Sequence, residues 1–335
     1  MDSLTQFLLG ASVSGDILGP RLGGRALLIG GLVGTLPDLD SFIPTGNAID
    51  DMTHHRGPSH SVLVQTALAP VIAMGIRRLV PDTRACGWLL LLTVWLCLTT
   101  HAVLDSLTTY GTQILWPLEI GPPVAFSSVF IIDPLYSLLL LIGVLTIFFW
   151  RTNRVRAVRV NRTLLAVSVV YLCLGATSHL VVKARAESDP AFQDRRLFVQ
   201  PTPFNILLWR VIALDENSYV SGLTSPWTSC EFTGVSTHSR LPDPPDGLVP
   251  SPSVRRLEWF TGGFYSYQDT GARLRIADLR IGFAPNFVFV FDYAQQNGSG
   301  FAEIDPIQVE AESPRPQQVK DLLTTAAASL NDCGG

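Results

Sequence analysis

Charge is what this sequence has least of: Asp, Glu, Lys and Arg make up 16% of its 335 residues, against 47% hydrophobic. An average soluble domain carries about 25% charge, so part of the chain is expected to lie in a membrane. Basic residues are the scarcer sign, with 24 Lys and Arg against 28 Asp and Glu and a net charge of −4. With no basic stripe interleaved with aromatics, that balance argues against a general nucleic-acid binder. Cysteine is sparse and odd in number, five in all. Cys86, Cys97 and Cys173 fall inside apolar runs and read as small buried hydrophobes. Cys230 and Cys333 could pair in an oxidising compartment, although their spacing does not demand it. The opening residues, MDSLTQ, lack a basic n-region and a small-residue cleavage site, so the first helix is expected to stay in the mature protein. The chain shows no convincing internal repeat.

What the sequence does have is long apolar runs, concentrated in residues 1–183. Residues 61–80, 86–107, 129–150 and 163–182 reach the roughly 20 residues that a bilayer core requires. Two shorter stretches, 4–18 and 22–37, read as packed or partly inserted helices, and the small residues of GGLVG let helix backbones approach closely. After Val182 the composition becomes that of a soluble domain, with alternating runs such as RLRIADLRIGF and NFVFVFDY. The expected fold class is mainly α. A helical transmembrane bundle with about four clear spans and two shorter N-terminal helices is followed by a small α+β extracytoplasmic domain over 194–293. Within that domain LPDPPDGLVPSPS is expected to be a loop before a short helix at 254–260. Residues 297–335, with ESPRPQQ and a small-residue helix at 317–330, are expected to form a partly disordered tail.

Orientation follows from Lys and Arg in short loops. Arg21 and Arg25 precede the second helix, Arg77, Arg78 and Arg84 lie between the next two spans, and Arg151, Arg154, Arg156, Arg159 and Arg162 follow Trp150. If the chain crosses at each span, all three clusters are cytoplasmic together. Residues 37–61, 101–107 and the start of the next span near Asp133 then share the outer face with everything after Val182.

That face receives LPDLDSFIPTGNAIDDMTHHRGPSHS, residues 36–61, a polar segment inside an otherwise apolar half. Carboxylate oxygen and imidazole nitrogen together bind hard or borderline divalent cations. Asp38 and Asp40 follow Pro37, His55 and His60 flank RGPS, and HAVLD places His101 and Asp105 at i and i+4 on one helix face. These six residues are the expected metal-ligand pool. GPSHS resembles a helix start, where backbone N–H groups favour an anion, and Arg56 adds a forked donor suited to phosphate. Arg56, Ser59 and Ser61 are therefore the expected substrate-anion contacts.

Each of these residues also has a bland reading. An Asp-x-Asp in a loop is usually turn chemistry, and a His at a membrane interface is often a satisfied polar group. The constellation shifts the balance, because His101 and Asp105 lie within an apolar span, where ionisable groups are costly and usually functional. Asp133, in FIIDPLY, reads equally as a helix cap or a site member. His54 and His179 read as incidental, Asp50 and Asp51 as solvated loop charges, and His238 as a loop residue without a specific role.

MDSLTQFLLGA, GTLPDLD, HRGPSHS, HAVLDSLTTYGTQ and IDPLY together resemble the YdjM-like family of bacterial inner-membrane proteins, described as metal-dependent hydrolases. GGFYSYQDTGARLRIADLRIGF resembles the outer domain attached to one branch of that family. The family is in turn thought to be distantly similar to the zinc-dependent phospholipase C and nuclease group. The resemblance implies metal ligation by Asp38 or Asp40, by His55 or His60, and by His101 with Asp105. It also implies a ligand at position 6, where this sequence has Gln6 in place of the usual His, and no second His cluster follows Asp105.

The function expected is a metal-dependent hydrolase in the bacterial cytoplasmic membrane, with its site at the outer face, acting on a phosphoester or lipid-linked substrate. Zinc is the first cofactor expected, with manganese or magnesium as alternatives. An unligated Asp38 or Asp40 is the expected general base, and membrane lipids and a small-molecule or lipid substrate are the expected partners. The competing expectation is a non-enzymatic membrane protein with a structural metal or polar site. A transporter or channel is less favoured, because the charged residues collect at one face instead of lining the midplane.

Overall fold

A computed structural model of the chain describes residues 1–335 except 119, 151, 229–231, 245–247, 299 and 311–335. Its first half is helical: α1 (Ser3–Ile17), α2 (Gly19–Leu22), α3 (Gly24–Thr35), α4 (Ala48–His54), α5 (Val62–Leu79), α6 (Trp88–Ser106), α7 (Pro134–Phe149) and α8 (Arg154–Ser188). The helices start where side chains can satisfy the first free N–H groups. Asp2 caps α1, Ser61 caps α5, Asp133 caps α7 just before Pro134, and Asn153 caps α8.

Three of these helices, α5, α6 and α8, are long and apolar enough to cross a membrane; α3 and α7 are shorter apolar helices. The run expected to span 129–150 thus forms helix only from Pro134, because Asp133 turns its carboxylate onto the N–H of Tyr136 and ends the preceding loop there. The run expected at 163–182 is longer than anticipated. Its basic flank from Arg154 to Arg162 is the first turns of α8 and not a loop. α5 turns Leu63, Leu68, Val71 and Met74 outward, the apolar exposure that a lipid-facing helix shows.

α1 and α3 cross at glycine. A Cβ on Gly30 would lie 2.1 Å from the Gly10 carbonyl oxygen, and one on Gly10 would lie 2.2 Å from that of Gly30. The small residues of GGLVG are therefore what lets these backbones touch, as the sequence anticipated. This crossing draws the start of α1 and the end of α3 to the end of α6, where Gln6 Nε2 and the Gly34 carbonyl both meet His101. At the opposite end, Arg162 pairs with Asp16 at 2.8 Å and Arg25 pairs with Asp82.

The second half is rich in β-sheet. β1 (Arg196–Pro201), β2 (Trp209–Leu214), β3 (Ser218–Thr224) and β4 (Thr233–Ser239) form an antiparallel sheet in sequence order. After α9 (Pro252–Phe260), β5 (Tyr265–Asp269), β6 (Arg273–Asp278), β9 (Val290–Asn297) and β10 (Gly300–Gln308) form a second sheet in the order β10-β9-β6-β5. β7 (Gly282–Phe283) and β8 (Asn286–Phe287) make a small hairpin. β10 pairs along β9, so residues 300–308, expected in the tail, belong to the second sheet. The helix expected at 317–330, Cys230 and Cys333 lie outside the described residues.

This domain rests on the helical half. Ile49 and Met52 of α4 share one apolar cluster with Val254, Leu257 and Phe260 of α9. Asn47 and Asp50 both hydrogen-bond the Ser253 hydroxyl, and Arg256 Nε donates to Thr53 Oγ1 at 3.0 Å. Asp50 is therefore an interdomain contact, not a solvated charge, and Asp51 accepts the N–H and hydroxyl of Thr45. Cys86 and Cys97 are buried as expected, whereas Cys173 is exposed on α8.

Candidate metal centre

Four of the six expected ligands converge. Asp38 follows α3 in a short 3-10 turn, Pro37–Phe42; His60 ends the turn Pro58–His60 before α5; His101 and Asp105 share one face of α6. One donor atom from each lies within 4.8 Å of the others. His60 Nε2 is 3.5 Å from Asp38 Oδ1 and 3.2 Å from Asp105 Oδ2. His101 Nε2 is 3.4 Å and 3.5 Å from the same two atoms, and the two Nε2 atoms are 2.9 Å apart. Zinc bonds of about 2.0–2.1 Å in a tetrahedron separate ligand atoms by about 3.3 Å. The four imidazole–carboxylate edges of this donor set, 3.2–3.5 Å, are close to that value, and the edge between the two imidazoles is shorter.

The surroundings select the ligating atoms. His101 Nδ1 is 2.6 Å from the Gly34 carbonyl, an acceptor only, so Nδ1 carries the proton and Nε2 presents its lone pair. His60 Nδ1 lies beside the Ser59 hydroxyl at 2.9 Å and Asp40 Oδ2 at 3.4 Å, which turns Nε2 inward. Two imidazole nitrogens 2.9 Å apart need a cation or a proton between them. Asp105 Oδ2, the oxygen that faces both imidazoles, and Asp38 Oδ2 are buried without a hydrogen-bond partner, so both carboxylates keep acceptor capacity. The residues present fit a divalent ion.

Electrostatics agree. Burial raises the Asp38 carboxyl, but His101 and His60 outweigh it and hold it well below the usual range. Burial works the same way on Asp40, again outweighed, here by His55, His60 and Ser59. Burial opposes charge on His60, yet the carboxylates of Asp105, Asp38 and Asp40 push its pKa up to about 9. The same carboxylates that favour a proton on His60 would favour a cation at this point.

Asp40 and His55, both in the expected ligand pool, are outside the four-residue group. They pair with each other instead, His55 Nδ1 to Asp40 Oδ1 at 2.6 Å. Asp40 Oδ2 also accepts the Arg56 N–H at 3.1 Å and the Ser59 hydroxyl. Asp40 thus braces three residues of the segment that carries His60. The expected anion contacts are also engaged within the protein. Arg56 is buried, with Nε 3.2 Å from Asp105 Oδ2 and Nη1 donating to Thr108 Oγ1 at 3.1 Å. Ser59 serves Asp40 and His60, and Ser61 caps α5 while donating to the Trp116 carbonyl.

Gln6 is fully buried at the site: its Nε2 donates to Asp105 Oδ1 at 2.9 Å, and its Oε1 has no partner. The Met1 amino group also reaches Asp105 Oδ1. Asp133 stands apart as the cap of α7, taking the Tyr171 hydroxyl at 2.7 Å. Of the residues read as incidental, His54 bonds the Asp50 carbonyl, His179 stacks on Phe126, and His238 stacks on Tyr219. Two residues of the site carry no mark in the sequence: Gly34, whose carbonyl orients His101, and Tyr110, whose ring lies against the Arg56 guanidinium. A backbone acceptor leaves no residue-type signal, and Tyr110 sat inside TTYGTQ without a chemical partner in sequence.

No curated protein and no solved structure matches the chain. The family model described as YdjM inner membrane protein matches residues 1–182, the segment that contains every residue of the four-donor cluster. The chain belongs to the YdjM inner membrane protein family.

Proposed function

We propose that the protein is a metal-dependent hydrolase of the bacterial cytoplasmic membrane, with one divalent ion held by Asp38, His60, His101 and Asp105. The carrying observation is the convergence of two imidazoles and two carboxylates on one point without a thiol. Structural zinc sites are built mainly from Cys, with His as the second ligand, whereas carboxylates with imidazoles mark catalytic sites. Such an ion supplies Lewis acidity and lowers the pKa of coordinated water. Imidazole donors favour zinc, with manganese second and magnesium third.

The chain's own residues divide the remaining work. Asp38 is the most open of the four, its side chain 13% exposed, and marks the side of approach for substrate. His55, with its ring 5.8 Å from that of His60, is the proton acceptor, and Asp40 holds its tautomer. The substrate is a phosphoester or lipid-linked phosphoester: the cluster sits where α3 and α6 end and α5 begins, and with α5 and α6 crossing the membrane that end of the helices would meet the lipid headgroups. The basic ends Arg21, Arg25, Arg77, Arg78 and Arg84 face the cytoplasm, four helices span the membrane, and the C-terminal domain is outside.

A second reading has one observation in its favour: four protein donors can close a tetrahedral ion completely, as in a structural site. The test is metal content of detergent-purified protein together with hydrolysis of bis-p-nitrophenyl phosphate and phospholipid vesicles. Wild type is compared with His101→Ala plus Asp105→Ala. Near-stoichiometric metal and hydrolysis, lost together, support the hydrolase. Metal without hydrolysis selects the structural site, and no metal after metal-supplemented purification sinks both.

A further inference from the structure

The C-terminal domain reaches the metal centre through one aromatic ring. Tyr110 follows α6 in the loop that leaves the cluster, and its ring is buried between the two halves of the protein. On one side it meets Phe260 of α9 and Phe289 edge-on, with centroids 5.5 and 5.7 Å away. On the other side lie the His55 ring at 5.7 Å and the Arg56 guanidinium, whose Cζ is 4.8 Å from the ring centroid. The Tyr110 hydroxyl donates to the Met52 carbonyl at 2.8 Å, which fixes the ring in plane.

Arg56 is held just as closely. Its backbone is left-handed, with φ of 63°, a conformation that non-glycine residues keep only where surrounding contacts impose it. The contacts are the Asp40 carboxylate on its N–H and the Gln113 N–H on its carbonyl, at 3.1 and 2.9 Å. The side chain then runs between Tyr110 and Asp105, with Nε 3.2 Å from Oδ2, the oxygen that faces the two imidazoles. Gln6 holds the other oxygen of the same carboxylate.

We propose that Tyr110 is a positioning residue: clamped by Phe260 and Phe289 of the C-terminal domain, it holds Arg56 against Asp105 and so fixes that carboxylate for the metal. The inference rests on the reading of the cluster as a metal centre. It gives the C-terminal domain a role, namely to set the geometry of a site made wholly from the helical half. An arginine stacked on an aromatic face is restrained through the ring quadrupole, and an aliphatic side chain of similar bulk does not replace that restraint. Groups that orient metal ligands typically contribute about 10–100-fold in metal affinity.

The test is titration of the full-length, detergent-solubilised protein with cobalt(II), whose visible bands report ligand geometry. Tyr110→Phe keeps the ring and is expected to bind cobalt within about threefold of wild type. Tyr110→Leu keeps apolar bulk but loses the π face, and is expected to bind about 10–100-fold more weakly with shifted bands. In an Arg56→Lys background, Tyr110→Leu is expected to add less than about threefold, since the two residues act through one contact. A pure packing role makes Leu and Phe alike, or makes the two substitutions additive, and either result overturns the proposal. If Tyr110→Leu does not fold, Phe289→Leu takes its place: weakened binding of several-fold supports the clamp, and unchanged binding overturns it. Wild type that binds no cobalt removes the metal centre and this inference together. Wild type that binds tightly beside an equally tight Tyr110→Leu removes only this inference.

Discussion

His60 Nε2 and His101 Nε2 face each other at 2.9 Å, and a proton on His60 is what this contact requires when no metal is bound. Its pKa is raised to about 9. Metal binding must displace that proton, so apparent affinity is expected to rise about tenfold per pH unit between pH 6.5 and 9. Isothermal titration in two buffers of different ionisation enthalpy, at pH 7, should show release of close to one proton. A flat affinity across this range would falsify the protonated pair. The same shift predicts the sign for stability. The folded pKa lies above the unfolded value of about 6.5, so the native state holds more protons in this window. Chelator-treated protein should therefore lose stability as pH rises from 6.5 to 9, and thermal melts in detergent can follow the loss.

Asp40→Asn keeps the shape of the side chain and removes the charge that braces His55, the Arg56 N–H and Ser59. His60 and His55 then lose their fixed orientation while all four donors remain. Metal affinity is expected to drop about 10–100-fold without disappearing, a result that elemental analysis after graded chelator dialysis can read. Complete loss would instead make Asp40 a direct ligand.

Gly30→Ala forces a methyl group to within 2.1 Å of the Gly10 carbonyl oxygen. Overpacking of this kind costs on the order of 1–3 kcal/mol. Because α1 carries Gln6 and α3 carries the Gly34 carbonyl, metal content is expected to fall with the melting temperature. A variant that melts as wild type and keeps full metal occupancy would show that the crossing tolerates more separation than this contact implies.

Gln6→His substitutes an imidazole for an amide whose Oε1 has no partner at the site. Imidazole is the stronger zinc donor, so zinc should resist chelator dialysis longer in the variant than in wild type. Faster loss would place the position 6 side chain outside coordinating reach.

The orientation is testable with an impermeant maleimide on spheroplasts, in a cysteine-free background. Asp269→Cys, at the exposed end of β5 in the C-terminal domain, should label in intact cells. Asp82→Cys, beside Arg25 at the opposite end of the bundle, should label only after permeabilisation. Labelling in the reverse order would invert the proposed topology.

By itself the sequence determined the local facts. Apolar runs marked α5, α6 and α8, alternation marked β6 and β9, and the i, i+4 spacing put His101 beside Asp105. Hydrophobic periodicity and helical spacing act over a few residues, so they are legible without a fold. Only the tertiary structure decided which members of one polar segment join the four-donor group and which brace it. Asp38 and Asp40 are two residues apart and look alike in sequence, yet one points at His101 and the other at His55. That choice depends on where α3 ends against α6, which the Gly10–Gly30 crossing sets. In sequence Arg56 looks like a free anion donor, and the fold turns it inward, because Asp105 and the Tyr110 ring offer a buried guanidinium the partners that water would otherwise supply. Contacts of that kind join residues about fifty positions apart, and no local pattern encodes them.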